Sequence, residues 1–207
     1  IIVSLVGSEM CIRDRSYKGE YTFDADGNIT LHIVYQWNTE TETFVPYAKE
    51  EYTFDANGNR PLCIQYEWNT ETETFVPYYK REYTFDANGN NTLSIYYLWN
   101  TDSETFVPTS KVEYTLDANG NNTLHIGYNW NTDSQSFVPS SKAEYTFDAN
   151  GNNTLDIGYI WNTDSQSFVP SYKGEYTFDA NGNITLHIVY QWNTAVSYTH
   201  LRAHETH

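Results

Sequence analysis

The segment Tyr-Thr-Phe-Asp-Ala-Asn-Gly-Asn recurs in near-identical form from Tyr21, Tyr52, Tyr83, Tyr114, Tyr145 and Tyr176, a spacing of 31 residues without insertion or deletion. A fixed period of this length is the signature of a tandem array of one supersecondary unit. Such an array is quasi-one-dimensional, each unit being stabilised chiefly by its neighbours. The sequence thus reads as one repeat domain over residues 16–194, flanked by non-repeat segments 1–15 and 195–207.

Within a repeat the apolar residues alternate. Leu62, Ile64, Tyr66 and Trp68 are separated by Cys63, Gln65 and Glu67, and Phe44, Pro46, Ala48, Tyr52 and Phe54 share the opposite parity to Val45, Tyr47, Lys49, Glu51 and Thr53. Period two predicts a half-buried strand in each case, so a repeat is a β-hairpin. Glu50 interrupts the apolar parity, and its equivalents Gly19, Arg81, Val112, Ala143 and Gly174 make this a variable mid-strand position.

Parity also types the turns. A two-residue Asn-Gly loop would set the aromatic face of one strand against the polar face of the next, whereas a three-residue loop over Ala56, Asn57 and Gly58 pairs Asp55 with Asn59 and Tyr52 with Leu62. That loop requires Gly58 at positive φ, which accounts for the recurrent Gly27, Gly58, Gly89, Gly120, Gly151 and Gly182. The second connection, residues 70–73, needs an even length for Trp68 to face Phe75. Such an aromatic pair adds about 0.5–1.5 kcal/mol beyond area burial.

The expected fold class is therefore all-β: an antiparallel meander of about twelve strands from six 31-residue hairpin repeats, curled or barrel-like, with an aromatic inner face. Passing from Glu51 through Cys63 to Lys80 advances the register by two residues per repeat. Equal strand number and shear correspond to a strand tilt of about 36°, so closure is geometrically permitted. The alternative is an open superhelical ribbon. Most of Trp37, Trp68, Trp99, Trp130, Trp161 and Trp192 are expected to be inaccessible, since they share a face with the strand tyrosines and phenylalanines; exposed tryptophans would instead favour the open ribbon or a sugar-binding surface.

The repeats carry the whole net charge of −16, because Glu9, Asp14 and Glu205 balance Arg13, Arg15 and Arg202 in the flanks. This excludes a basic nucleic-acid footprint and weakens adsorption to anionic membranes. Membrane insertion as a barrel is disfavoured as well, since Glu50 and Arg81 would face lipid. Aromatic residues at 17% favour a folded β protein over disorder. With Cys11 in a flank and Cys63 alone in the array, there is no disulfide framework and no zinc pattern.

No catalytic, cofactor or metal signature is present. The Asp24, Asp26 and Asn28 turn offers alternating oxygens, but it lacks the sixth-position glycine and twelfth-position glutamate of an EF-hand loop. His32, His125 and His187 are expected on a polar face, each between a glutamate of the preceding strand (Glu20, Glu113, Glu175) and a lysine of the following one. The equivalent position is Cys63, Ser94 or Asp156 in other repeats, which favours a cross-strand charge ladder over shared catalysis. Asn-x-Thr sequons at Asn28, Asn90, Asn121, Asn152 and Asn183 follow from turn chemistry plus a strand threonine.

The repeated octapeptide resembles the core of rearrangement-hotspot, or YD, repeats, which build large secreted shells and adhesive extracellular proteins. The period and the Trp-Asn-Thr and Phe-Val-Pro elements depart from that pattern. The chain is more similar to uncharacterised exported bacterial proteins with tandem hairpin repeats. Residues 16–39 and 171–194 match except at Asp26 against Asn181, and the repeat ends abruptly outside both. Residues 4–14 and 196–206 look like translated sequencing adapters, so the array is expected to be a fragment of a longer one. These resemblances imply a non-enzymatic scaffold or adhesin, extracellular or at the cell surface, with surface glycans or other surface proteins as partners. The alternative is a carbohydrate-binding module whose Trp37, Trp68, Trp99, Trp130, Trp161 and Trp192 stack on sugars.

Overall fold

The computed structural model describes residues 17–192 and 202–205, which form strands and turns only. The strands are β1 (Tyr17–Phe23), β2 (Ile29–Asn38), β3 (Thr43–Thr53), β4 (Leu62–Asn69), β5 (Thr74–Phe85), β6 (Asn91–Asn100), β7 (Thr105–Leu116), β8 (Asn122–Asn131), β9 (Ser136–Phe147), β10 (Asn153–Asn162), β11 (Ser167–Phe178), β12 (Ile184–Gln191) and β13 (Arg202–Glu205). Their hydrogen-bonded order follows the sequence from β1 to β13, an antiparallel meander. The first twelve strands come from the repeats. β13 lies outside them and pairs with β12 from Ile188–Glu205 to Gln191–Arg202. The chain divides into two compact units, Ile1–Phe85 with Ile95–Thr109, and Asp86–Ser94 with Ser110–His207.

The Asp-Ala-Asn-Gly-Asn turn is the three-residue loop that parity demands. Asp55 N–H donates to the Asn59 carbonyl at 2.9 Å, Gly58 N–H donates to the Asp55 carbonyl at 3.1 Å, and Gly58 has φ 80°. The Asp55 side chain completes it, Oδ1 accepting from the Asn57 and Asn59 N–H groups and Oδ2 from the Asn59 side-chain amide. The four-residue connection also has the expected even length, with Asn69 opposite Thr74 and Trp68 opposite Phe75.

Between these turns each repeat carries two β-bulges, and they change which residues share a face. Phe23 faces Ile29, but Thr22 faces Leu31, so Thr30 is an extra residue. Thr123, Thr154 and Thr185 repeat this bulge, and Pro61 occupies the same place before β4. A proline, with no N–H for the ladder, is tolerated at such a point. As a result Tyr52 lies opposite Cys63 and Thr53 opposite Leu62, which corrects the expected pairing of Tyr52 with Leu62. The second bulge follows the proline of Phe-Val-Pro. Tyr66 faces Pro77 and Gln65 faces Tyr79, leaving Tyr78 extra, as Tyr47, Ser140 and Ser171 are in their repeats.

The two bulges cancel in register but not in side-chain direction. Glu51 faces Ile64 and Ile64 faces Lys80, so the two-residue advance per repeat survives, carried by Ile64 in place of Cys63. One face then bears Leu62, Ile64, Tyr66, Trp68, Phe75 and Pro77 with Lys49 and Glu51, and the other bears Tyr52, Phe54, Cys63 and Glu50. The expected single aromatic inner face is thus corrected to aromatic residues on both faces. Closure into a barrel does not occur, as the strand order is linear. The physical reason is that neither face is apolar enough to be an interior, a bulge having transferred half the aromatic residues to the opposite side.

Burial follows from this layout. Every described strand belongs to one sheet, and among the described residues no large side chain is fully buried. The most buried side chains are small ones on the tyrosine face, Ala48, Cys63 and Ala143, together with Asp156. The expectation that most tryptophans are inaccessible is overturned. Trp68, Trp99, Trp130, Trp161 and Trp192 are half-buried, and Trp37 is 36% exposed.

Candidate ligand-binding surfaces

On the first face, each tryptophan beside a four-residue loop meets the phenylalanine across it. Trp37–Phe44, Trp68–Phe75, Trp99–Phe106, Trp130–Phe137 and Trp161–Phe168 are edge-to-face pairs with centroids 4.9–5.0 Å apart. The loop holds them in place: Asn69 Oδ1 accepts from the Glu71 and Thr72 N–H groups, and Glu73 takes a left-handed conformation at φ 53°. Trp192, at the end of the described array, is fixed through its backbone N–H, which donates to the Ser171 carbonyl.

Next to each aromatic pair stands a lysine. The Lys49 ammonium lies 3.8 Å from the Tyr66 ring centroid and 5.6 Å from that of Phe75, and it is 2.8 Å from Glu51. Tyr66 Oη donates to Glu51 at 2.7 Å. The set recurs as Lys80, Tyr97, Phe106 and Glu82, as Lys111, Tyr128, Phe137 and Glu113, and as Lys142, Tyr159, Phe168 and Glu144. Burial tends to raise the Glu51 carboxyl pKa, but the hydrogen bonds from Lys49 and Tyr66 outweigh it and hold the carboxyl below its usual range. Burial and the Glu51 hydrogen bond push the Tyr66 phenol up to about 12.

The opposite face is less uniform. The His32 ring stacks on Tyr21, with centroids 4.4 Å apart, and its Nδ1 lies 3.2 Å from Glu50 Oε2, which also accepts from Tyr52 Oη at 2.6 Å. His125 instead has Tyr145 Oη 3.4 Å from Nδ1, and His187 stacks on Tyr176. The expected placement of these histidines between a glutamate and a lysine is corrected, because the threonine bulge sets each opposite a tyrosine of the preceding strand and moves Glu20, Glu113 and Glu175 to the other face. Burial holds the His125 imidazole below its ordinary range and raises the Cys63 thiol. Three histidines in three surroundings form no recurring acid–base group.

Among the described residues no group of three or more His, Cys, Asp or Glu could hold a metal ion. Turn carboxylates are engaged in the backbone: Asp24 Oδ1 accepts from Asp26 and Asn28 N–H, and Oδ2 from the Asn28 side-chain amide. The same bonds occupy the sequon amides of Asn90, Asn121, Asn152 and Asn183. Sequence parity located the tryptophan–phenylalanine pairs but missed the Lys49–Tyr66–Glu51 set, which depends on the bulges. The Lys-x-Glu spacing at residues 49 and 51, repeated in every copy, was the available signal.

No family model matches the chain, and no curated protein matches it in sequence. Among solved structures it is similar to a protein of unknown function from Bacteroides fragilis, with 17% identity, a TM-score of 0.52, and coverage of 64% of this chain and 94% of that one. It is also similar to a DUF3836 family protein from Bacteroides vulgatus, at 16% identity, TM-score 0.39 and coverage of 46% and 92%. A third similarity is to the TcdB2-TccC3 structure, at 15% identity, TM-score 0.42 and coverage of 90% and 10%. At these identities, the first of these likenesses shows the fold alone: a repetitive antiparallel β-meander.

Proposed function

We propose that the array is a non-enzymatic structural or adhesive scaffold acting outside the cell. The observation that carries this reading is recurrence: the lysine, tyrosine, glutamate, tryptophan and phenylalanine of one repeat keep the same contacts in the next, whereas the residues that vary between repeats form no recurring reactive group. A catalytic centre would require one unlike place with convergent acid, base or nucleophile. The net charge of −16 suits a soluble, exposed surface and argues against nucleic-acid partners. Two measurements test the proposal. A panel of glycosidase, esterase and peptidase substrates should show no turnover with the full chain, and protease treatment of intact cells bearing the gene should remove the repeats. Turnover, or protection of the repeats until lysis, would sink the corresponding half.

A second reading has its own support. The tryptophans are half-buried rather than sequestered, which leaves part of each ring open to stack on a sugar. Saturable binding on a glycan array, lost when Trp68 and Trp99 are replaced by alanine while the fold persists, would favour a carbohydrate-binding module. Unchanged binding in that variant would remove the tryptophans from the site.

A further inference from the structure

On the tyrosine face of the N-terminal unit lies a cavity of about 320 Å³, lined by Tyr21, Gly27, Asn28, Ile29, His32, Tyr52, Phe54 and Arg60. Its volume falls at the lower end of the range for small-ligand pockets. The walls are aromatic and apolar, supplied by Tyr21, Tyr52, Phe54 and Ile29. The Gly27–Asn28 turn closes one side with backbone and amide groups, and Gly27, at φ 88°, brings no side chain into the space.

The charge in this pocket differs from the lysines of the array, and the array's other arginine that lacks a carboxylate pair among the described residues, Arg81, is placed over Tyr79 and Tyr96 outside this cavity. All six lysines are ion-paired to the glutamate two residues on, from Lys18–Glu20 to Lys173–Glu175. Arg60 is exposed, its guanidinium rests over the Tyr52 ring at 4.9 Å, and it makes no carboxylate pair among the described residues. Glu50 is already taken by His32 and Tyr52. The positions equivalent to Arg60 are Ile29, Asn91, Asn122, Asn153 and Ile184, and those equivalent to Glu50 carry no other carboxylate. Arg60 is thus the one arginine of the array that lines this cavity, an unpaired guanidinium at the rim of aromatic walls.

We propose that this pocket binds a carboxylate-bearing sugar ring of the hexuronate class. The ring's apolar face packs on Tyr52 and Tyr21, and its carboxylate takes the planar, two-pronged donor set of Arg60, for which lysine is a poor substitute. His32 and the polar Asn28 turn border the ring hydroxyls. In a chain of net charge −16, an anionic ligand requires a local cation, so binding depends on that one side chain. The inference goes beyond the scaffold reading, and it is separate from the tryptophan reading because the pocket occupies the opposite face.

The test is titration of the full chain, by calorimetry and by ligand-observed NMR, with glucuronate and galacturonate trisaccharides, their neutral counterparts, and benzoate. Saturable binding of a uronate is expected, weakened roughly ten-fold or more in Arg60→Ala, the loss characteristic of a charged hydrogen-bond pair. Arg60→Lys should recover only part of it, and Trp68→Ala none of the loss. Arg60 is an exposed turn residue, so the variant should fold, checked by far-ultraviolet circular dichroism. Neutral sugars binding as well as uronates, benzoate binding more tightly, an Arg60→Ala variant with unchanged affinity, or no saturable binding at all would each overturn the proposal. Loss of binding in Trp68→Ala alone would assign the sugar to the tryptophan face instead.

Discussion

Tyr66 donates its phenolic hydrogen to Glu51 across the β3–β4 ladder at 2.7 Å, while the Lys49 ammonium lies 3.8 Å from the same ring. One side chain therefore serves the carboxylate through its edge and the cation through its face, and Lys49 and Glu51 are joined directly as well. Among the described residues no large side chain is fully buried, and such cross-strand sets add about 0.2–1 kcal/mol for each contact. Because the set repeats, its electrostatic behaviour is multiplied along the chain.

The pH dependence has a definite sign. Glu20, Glu51, Glu82, Glu113, Glu144 and Glu175 all titrate below their ordinary value in the folded state. A depressed carboxyl contributes stability that is present above its unfolded pKa, near 4.3, and is lost as pH falls through the folded one. Tyr66, Tyr97, Tyr128 and Tyr159 are raised to about 12, so their contribution is complete below roughly pH 10 and is lost as pH rises through 12. Denaturant midpoints measured from pH 2 to 12 should form a plateau with losses at both ends. A spectrophotometric phenol titration should show a group of tyrosines ionising near 12. Stability that kept rising below pH 4 would contradict the Glu51 assignment.

Removing the single hydroxyl isolates the tyrosine's donor role. Tyr66→Phe keeps the ring under Lys49 and leaves Glu51 paired with that lysine, so the expected loss is about 0.5–1.5 kcal/mol, that of one hydrogen bond. Glu51→Ala with Tyr66→Phe should cost less than the sum of the two single variants, since both remove the same contact. Additive losses in chemical denaturation would show that the bond contributes nothing in solution.

Glu73 sits at φ 53°, a conformation that costs a residue with a Cβ about 1 kcal/mol or more. Glu42, Glu104, Gln135 and Gln166 hold the same conformation in their loops. Glu73→Gly removes that strain while adding unfolded-state entropy, so stability should hold or rise by up to about 1 kcal/mol. Glu73→Val, with a branched Cβ, should fall by about 1 kcal/mol or more. Equal effects of Gly and Val on the melting temperature would argue against a left-handed residue here.

Both turns and the Trp68–Phe75 pairing were legible because loop length and alternation fix register at the two ends of each hairpin. The bulges were not, since parity counted from a turn assumes an unbroken ladder, and one extra residue reverses every side chain beyond it. Pro46 and Pro61 were the visible signals, each lacking the N–H that a regular ladder needs. The threonine that replaces Pro61 in the other repeats carries no such mark. The same shift governs His32, whose neighbours Tyr21 and Glu50 are one residue away from those that a bulge-free ladder supplies.

Asp156 and Gly174 lie opposite each other on β10 and β11, and a Cβ at Gly174 would overlap Asp156 Oδ1 and crowd Tyr176 Oη. The positions are complementary in size elsewhere too, with His125 opposite Ala143. Gly174→Ala should therefore destabilise by about 1–3 kcal/mol, the usual range for overpacking a tight site. Asp156 is among the most buried side chains, which leaves it little room to move aside. If the overlap is the cause, Asp156→Ser introduced together with Gly174→Ala should recover most of the loss, a favourable coupling measurable by a double-mutant cycle. Restoration is the decisive outcome: a double variant as unstable as the two single losses added together would mean that Gly174 is required for its backbone and not for the space it leaves to Asp156.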